Sequence, residues 1–420
     1  MNNIVVIGGG PAGMMAAATA AREGADVTLL EKKSRVGRKL AITGKGRCNI
    51  TTAVEPEYLP EGFPGQARFL YSAFNEFNNL DTINFFNNLG VATKVERGNR
   101  VFPQSDRALD VVRALHDNAV QAGVEIVTSC TVEDIITTGK KVTGVKTRTR
   151  LFKAQSVIIC TGGKSYPATG STGDGYEWAR KLGHKIIEPR PGLVPLITEE
   201  HWVPELQGLT LKNVGVIAYS KEGKKINEEF GEMLFTHFGL SGPIILTISR
   251  DIASYIYKTG KEVKVVIDLK PALDEEKLDD RLQRDFLKYS RRQFANSLDD
   301  LLPHKLIPVL VKLSGIDPHQ ECNHINRKER KNLAYLLKHL TVTVKGTRPI
   351  EEAIVTAGGI DVSQVNPRSM ESKLITGLYF AGEVLDVDGY TGGYNLQASF
   401  STGYVAGKNA AQALLRQNNG

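Results

Sequence analysis

The sequence predicts an α/β fold: an open parallel sheet of Rossmann type, assembled from both ends of the chain, with an inserted β-barrel that carries a helical subdomain. Three observations predict it. The chain opens on a short apolar run that passes through glycines into an alanine-rich helix. Two further apolar runs that end in glycine lie far apart, at residues 156–163 and 377–383. Between them the pattern changes to alternating strands and then to helical spacing.

The opening run, Ile4-Val5-Val6-Ile7, is apolar and β-branched, as a strand buried on both faces should be. Gly8-Gly9-Gly10-Pro11-Ala12-Gly13 follows with G-x-G-x-x-G spacing. Met14 to Glu23 is free of glycine and proline and reads as a helix, and Ala25 to Leu30 reads as a second buried strand. Each glycine has a physical task. Gly8 permits the tight turn, Gly10 lets backbone approach a pyrophosphate, and Gly13 lets the helix pack on the strand. Pro11 and Ala12 then open a helix whose free N–H groups face the phosphates. Glu31 lies 18 residues beyond Gly13, where a carboxylate accepts from the hydroxyls of an adenosine ribose.

The turn alone does not choose between dinucleotides; two later segments point to FAD. Ser156 to Ile159 is an apolar strand that runs through Cys160 into Thr161-Gly162-Gly163, where small residues admit a ligand to the backbone. Gly377 to Ala381 is another strand, ending at Gly382 and Glu383, a carboxylate placed to accept from ribityl hydroxyls. Gly392-Gly393-Tyr394-Asn395-Leu396-Gln397 then opens a small-residue helix to about Ala413, whose N-terminus would face the flavin N1–C2=O edge.

With these segments in place, the chain resembles the two-dinucleotide-fold flavoproteins, and more closely the bacterial BaiN/RdsA-type family of NAD(P)/FAD-dependent oxidoreductases. The resemblance covers nearly the whole chain. It rests on Gly37-Arg38-Lys39, on Thr43-Gly44-Lys45-Gly46-Arg47-Cys48-Asn49-Ile50-Thr51, on Arg100 to Pro103, on Leu234 to Pro243, and on Gly392 to Gln397. It implies that Glu31, Lys32, Arg38, Cys48, Val132, Gly162, Glu383 and Asn395 border a non-covalent FAD, with Gly46 and Arg47 in the loop near the isoalloxazine.

The FAD domain is therefore expected to be discontinuous, 1–189 and 347–420, with a turn at Pro189-Arg190-Pro191-Gly192 as its first boundary. The barrel is expected over 190–273 and 340–346, and the helical subdomain over 274–339. Only one convincing dinucleotide turn is present, so NAD(P)H, the expected donor, would dock transiently.

Composition narrows the class. The 420 residues are 41% hydrophobic and 24% charged, ordinary for a soluble protein. No run approaches the roughly 20 apolar residues of a membrane span, so no membrane partner is expected and the expected compartment is the cytoplasm. Cys48, Cys130, Cys160 and Cys322 are scattered, and neither they nor the eight histidines show metal spacing, so no metal is expected. Cys130 and Cys160 read as strand residues of the core, and Cys322 as a residue of a polar stretch.

The net charge of +7 permits a polyanionic partner. Acid-free basic runs occupy residues 32–47 and a hairpin bearing Lys140, Lys141, Lys146, Arg148, Arg150 and Lys153. A third cluster, Arg327, Lys328, Arg330 and Lys331, is interrupted by Glu329. Residues 271–340 nevertheless hold 13 Lys and Arg against 11 Asp and Glu. Any RNA-binding face must be local or lie elsewhere.

The candidate catalytic residues are Cys48 and His237. Cys48 is open to two roles, a small side chain filling a tight loop or a proton-donating thiol beside Arg47. His237 is likewise either a hydrogen-bonded structural residue or a proton donor. Arg47, Arg100 and Lys45 are candidates to hold an anionic substrate, or else pair with FAD phosphate or lie on a solvated face, and Tyr390 and Tyr394 either flank a substrate or serve packing. The resemblance implies an FAD-dependent reductase, since part of the family reduces a uridine of ribosomal RNA to dihydrouridine. A small-molecule flavoenzyme, an amine oxidase or an enone or steroid reductase, is the alternative, and a redox sensor a third reading.

Overall fold

Five parallel strands form the central sheet of the computed structural model, which describes residues 3–418. Their order is Leu378–Phe380, Ser156–Ile159, Asn3–Ile7, Asp26–Leu30, Glu125–Val127. The first strand lies at the centre, with Val6 opposite both Ile158 and Leu29. This explains why Ile4, Val5, Val6 and Ile7 are all buried where a one-sided strand would alternate.

The Pro11–Arg22 helix packs along the Tyr394–Asn418 helix through small residues. A Cβ at Gly403 would stand 2.5 Å from the Ala12 carbonyl oxygen, and one at Gly407 would stand 2.2 Å from that of Ala16. Alanines on one helix and glycines on the other thus let two backbones touch. The two ends of the sequence meet in that seam.

The chain divides into two units, one running up to Gly192 and resuming at Ile350, the other Leu193–Pro349. It leaves the first unit on strand Ile186–Gly192 and returns on Val355–Ile360, its antiparallel partner. Pro189 to Gly192 is thus strand rather than turn. The register shifts between Ile187 and Arg190, and the irregularity accommodates Pro189, which has no N–H to give.

The second unit holds a closed six-stranded antiparallel barrel in the order Leu196–Thr198, Gly239–Ser241, Lys225–Thr236, Thr210–Tyr219, Val263–Asp268, Leu340–Thr347. Helices Glu275–Lys288, Ile307–Ser314 and Arg327–Lys338 belong to the same unit and share its apolar cluster. Cys322 is buried in that cluster rather than incidental to a polar stretch. Cys130 lies in the loop before strand Val132–Thr138, half-buried, with its amide donating to the Glu31 carbonyl. No helix among the described residues is long and apolar enough to cross a membrane.

Candidate active site

The site begins at the glycine turn. Gly8 has a φ of 106°, and a Cβ there would stand 2.5 Å from the Cys160 carbonyl oxygen. A Cβ at Gly13 would stand 1.9 Å from the Gly8 carbonyl oxygen, so the helix starts directly on the strand end. Gly10 differs, because nothing lies within 4 Å of its would-be Cβ. The cradle is closed on the protein side and open on the other. Pro11 occupies the first helical turn, and the Ala12 and Gly13 amides precede any intrahelical acceptor. That donor set fits a pyrophosphate.

Glu31 is held beside this turn. Its carboxylate accepts from the Gly9 amide at 2.8 Å and the Lys33 amide at 2.7 Å. The Cys130 amide donates to the Glu31 carbonyl at 2.9 Å, which brings the backbone leading to buried Val132 alongside. Arg38 follows Gly37, whose amide bonds the Gly9 carbonyl at 2.8 Å. Arg38 is half-buried and its guanidinium has no hydrogen bond or ion pair among the described residues, which suits an anionic neighbour. Lys32 is placed differently, with its ammonium paired to Asp174 at 2.7 Å and also bonded to Thr172.

The other two strand ends converge on Glu383. A Cβ at Gly162 would stand 3.1 Å from Ser171 Oγ and 3.7 Å from Glu383 Oε2. One at Gly382 would stand 2.8 Å from the Ala12 Cβ, so Glu383 emerges beside the first helix. Its carboxylate is held by Lys39 Nζ at 2.7 Å, the Thr356 amide at 2.8 Å and Ser165 Oγ at 3.3 Å. Gly163 lies against Thr356, whose hydroxyl would be 2.2 Å from a Cβ there. The Thr161 hydroxyl in the same turn is buried without a partner among the described residues, an orphan polar atom of the kind a ligand satisfies. Sequence reasoning misses Lys39, Ser165 and Thr356. Lys39 stands in a quoted motif, but its partner lies 344 residues away.

Two of the segments that carry the resemblance, Thr43 to Thr51 and Gly392 to Gln397, bind each other. Thr51 Oγ1 donates to Gln397 Oε1 at 2.6 Å. The Asn49 amide, oriented to satisfy both its ends, accepts from the Gly393 amide at 3.0 Å. A Cβ at Gly393 would stand 2.3 Å from Thr51 backbone atoms, which explains that glycine by packing. Asn395 closes its own turn, with Oδ1 accepting from the Gly389 amide and Nδ2 donating to the Gly389 carbonyl, both at 2.8 Å. Leu396 packs half-buried against the core. Tyr394 is wedged edge-on to Phe63 under Gly62 rather than displayed to a substrate.

The loop from Thr43 to Cys48 turns through left-handed backbone at Gly44, Lys45, Gly46 and Cys48. Arg47 braces it, bonding Glu96 at 2.5 Å and Asp106 at 2.6 Å over the Phe102 ring at 4.2 Å. That guanidinium is directed to carboxylates rather than to phosphate. Lys45 is exposed, and Arg100 donates to the Arg97 carbonyl at 3.0 Å. Cys48 is wholly buried, and burial pushes its thiol up to about 12. It is a neutral thiol throughout the physiological range, so of its two roles the geometry suits the filling one.

His237 belongs to the second unit, exposed on the turn between strands Lys225–Thr236 and Gly239–Ser241. Its ring stands edge-on to Phe238 at 4.9 Å and makes no hydrogen bond among the described residues. The structural reading required such a bond. That unit also carries an open groove of about 810 Å³ beside the Ile307–Ser314 helix, and none of the residues above lines it.

Comparison with known proteins accords with this geometry. A family model described as the HI0933-like protein Rossmann domain matches residues 2–409. The chain is 34% identical over 414 residues to a 3-dehydro-bile acid delta(4,6)-reductase of Clostridium scindens, covering 98% of this chain and 100% of that one. It is 32% identical over 413 residues to the ribosomal RNA dihydrouridine synthase of Escherichia coli, covering 97% and 98%. The Haemophilus influenzae protein of that name is 31% identical, covering 96% of each. Among solved structures, a 3-ketosteroid-delta4-(5alpha)-dehydrogenase from Rhodococcus jostii shares the fold at a TM-score of 0.52 and 16% identity, covering 97% of this chain and 96% of that one. From the glycine turn, the carboxylates that flank it and these whole-length relatives together, the chain belongs to the HI0933-like Rossmann family and is an FAD-dependent oxidoreductase.

Proposed function

We propose that this chain saturates a carbon–carbon double bond conjugated to a carbonyl, and that its substrate is a uridine of ribosomal RNA in the cytoplasm. Both substrate names carried by its whole-length relatives fit the first half of that statement, since uracil and a dehydro-bile acid alike offer an activated C=C. The observation that carries the RNA half is the hairpin of strands Val132–Thr138 and Lys141–Thr147 with Leu151–Lys153. Lys140, Lys141, Lys146, Arg148, Arg150 and Lys153 are all exposed there. Among the described residues, only Lys146 and Arg150 of these approach a carboxylate, at 3.5 and 3.7 Å. Such a surface attracts phosphates and makes binding depend on salt.

FAD, once bound and reduced, supplies the hydride. The chain's residues bind and orient: the Gly8–Gly13 turn and Arg38 hold phosphates, Glu31 a ribose, and Glu383 the ribityl chain. With one dinucleotide turn in the sequence, NAD(P)H is the proposed transient donor. A proton must also reach the carbon next to the carbonyl.

Deleting the gene and assaying ribosomal RNA for dihydrouridine tests the substrate. Loss at one position, restored by wild type but not by Glu383→Ala, supports the proposal. Unchanged dihydrouridine in a host with no redundant enzyme turns the reading to a small enone, which the 34% identity to the bile acid reductase supports.

A further inference from the structure

We propose that the outer face of the Arg327–Lys338 helix docks an RNA strand, with its cations on phosphates and Tyr335 with His339 beneath an unpaired base. The inference rests on the RNA reading above and adds where on the second unit the strand lies. Composition hides this face, because the surrounding stretch is close to neutral.

The structure sorts the charges. Leu333, Ala334 and Leu337 are buried, so the helix presents Arg327, Lys328, Lys331, Asn332 and Tyr335 outward. The helix has one acid, Glu329, and its carboxylate is turned to the N-terminal cap, accepting from the Asn326 amide at 2.9 Å. Arg330 is held by Asp279 at 2.8 and 3.0 Å, and Lys338 by Asp268 at 2.6 Å. Arg327 and Lys331 also act on Asp279 at longer range, but its oxygens are already engaged by Arg330. The surface acids Glu275, Glu276 and Asp280 belong to the adjoining helix. Arg327, Lys328 and Lys331 make no ion pair or side-chain hydrogen bond among the described residues.

The aromatic part is prebuilt. The Tyr335 and His339 rings are stacked, 4.2 Å apart and 21° from parallel, and Tyr335 is 59% exposed. His339 Nδ1 donates to the Tyr335 carbonyl at 3.1 Å, which fixes the lower ring. Three unpaired cations beside one exposed stacking platform are the two devices by which proteins hold single strands. A membrane would need an apolar stripe, and this face has none.

The test uses the full-length, FAD-loaded protein and a labelled single-stranded uridine 20-mer, followed by anisotropy from low to high salt. A triple variant, R327Q with K328Q and K331Q, should weaken binding at least tenfold near 0.1 M salt. It should also flatten the log–log salt slope by about two. Tyr335→Ser should weaken binding about tenfold at every salt and leave the slope alone. FAD content and thermal midpoint should match wild type in both. A triple variant that binds with the wild-type slope overturns this face as the docking site, even where wild type makes dihydrouridine. A wild type with no salt-dependent binding overturns the RNA reading itself.

Discussion

Glu31 is expected to serve the fold and the cofactor with the same two oxygens. They accept from the Gly9 and Lys33 amides, and a ribose must share them. Glu31→Gln should therefore weaken FAD binding about 10- to 100-fold, read by titrating apoprotein and following flavin fluorescence. Another side chain reports on pH. His184 is buried, with Nε2 2.8 Å from Ser372 Oγ and Nδ1 3.2 Å from the Ala179 carbonyl oxygen. Burial holds its pKa below the ordinary 6.5, so the unfolded chain takes up the proton more readily. Its contribution is complete above about pH 6.5 and is lost as pH falls through the depressed folded value. Urea midpoints between pH 7.5 and 5 should fall for wild type and fall less for His184→Gln. At this scale the sequence was partly legible. Glu31 and Glu383 follow from strand, turn and spacing. Lys39 does not, because an ion pair across 344 residues leaves no local signal.

At the scale of elements, the seam between the first and last helices governs both stability and the site. Ala12 touches the last helix at Gly403 and also lies under Gly382, the residue before Glu383. Gly407→Val should destabilise by about 1–3 kcal/mol, since two backbones must part. It should also loosen FAD, because the displaced helix carries the phosphate turn. Calorimetry and flavin release would measure both; a loss of stability with FAD affinity intact would separate the seam from the site. Strand, turn, helix and strand over residues 3–30 were readable because hydrophobic period and glycine spacing are local. That Thr51 binds Gln397, and Asn49 the Gly393 amide, was not readable. Each motif looks ligand-directed in isolation, while much of its chemistry binds the other motif.

For the whole molecule, two apolar clusters on one chain predict two responses to ligand. FAD contacts proposed above lie in the unit made from the chain ends. Adding FAD to apoprotein should raise the calorimetric transition of that unit by mass action and move the barrel unit's transition little. A common shift of both, with a single cooperative peak, would show that the units unfold together. The insertion was legible from the change to alternating strands and then to helical spacing between the two ends, whereas the turn expected at Pro189 to Gly192 is strand. The sharing of one cluster by barrel and helices was not, because a barrel face and a helix stripe carry the same kind of apolar residue.

The placement of strand Leu378–Phe380 has a consequence for how the protein is made. It pairs with Ser156–Ile159, yet the 185 residues 193–377 must be translated between Gly192 and that strand. At ribosomal speed the interval is roughly 10–40 s. Throughout it the sheet bears an unpaired edge at Ser156–Ile159, flanked by apolar Val157, Ile158 and Ile159. The nascent chain is thus a half-built sheet with a sticky side while its insert is being made. A message broken before codon 378 yields a product without that strand, without Glu383 beyond it and without the seam helix, and such a product is expected to hold no FAD.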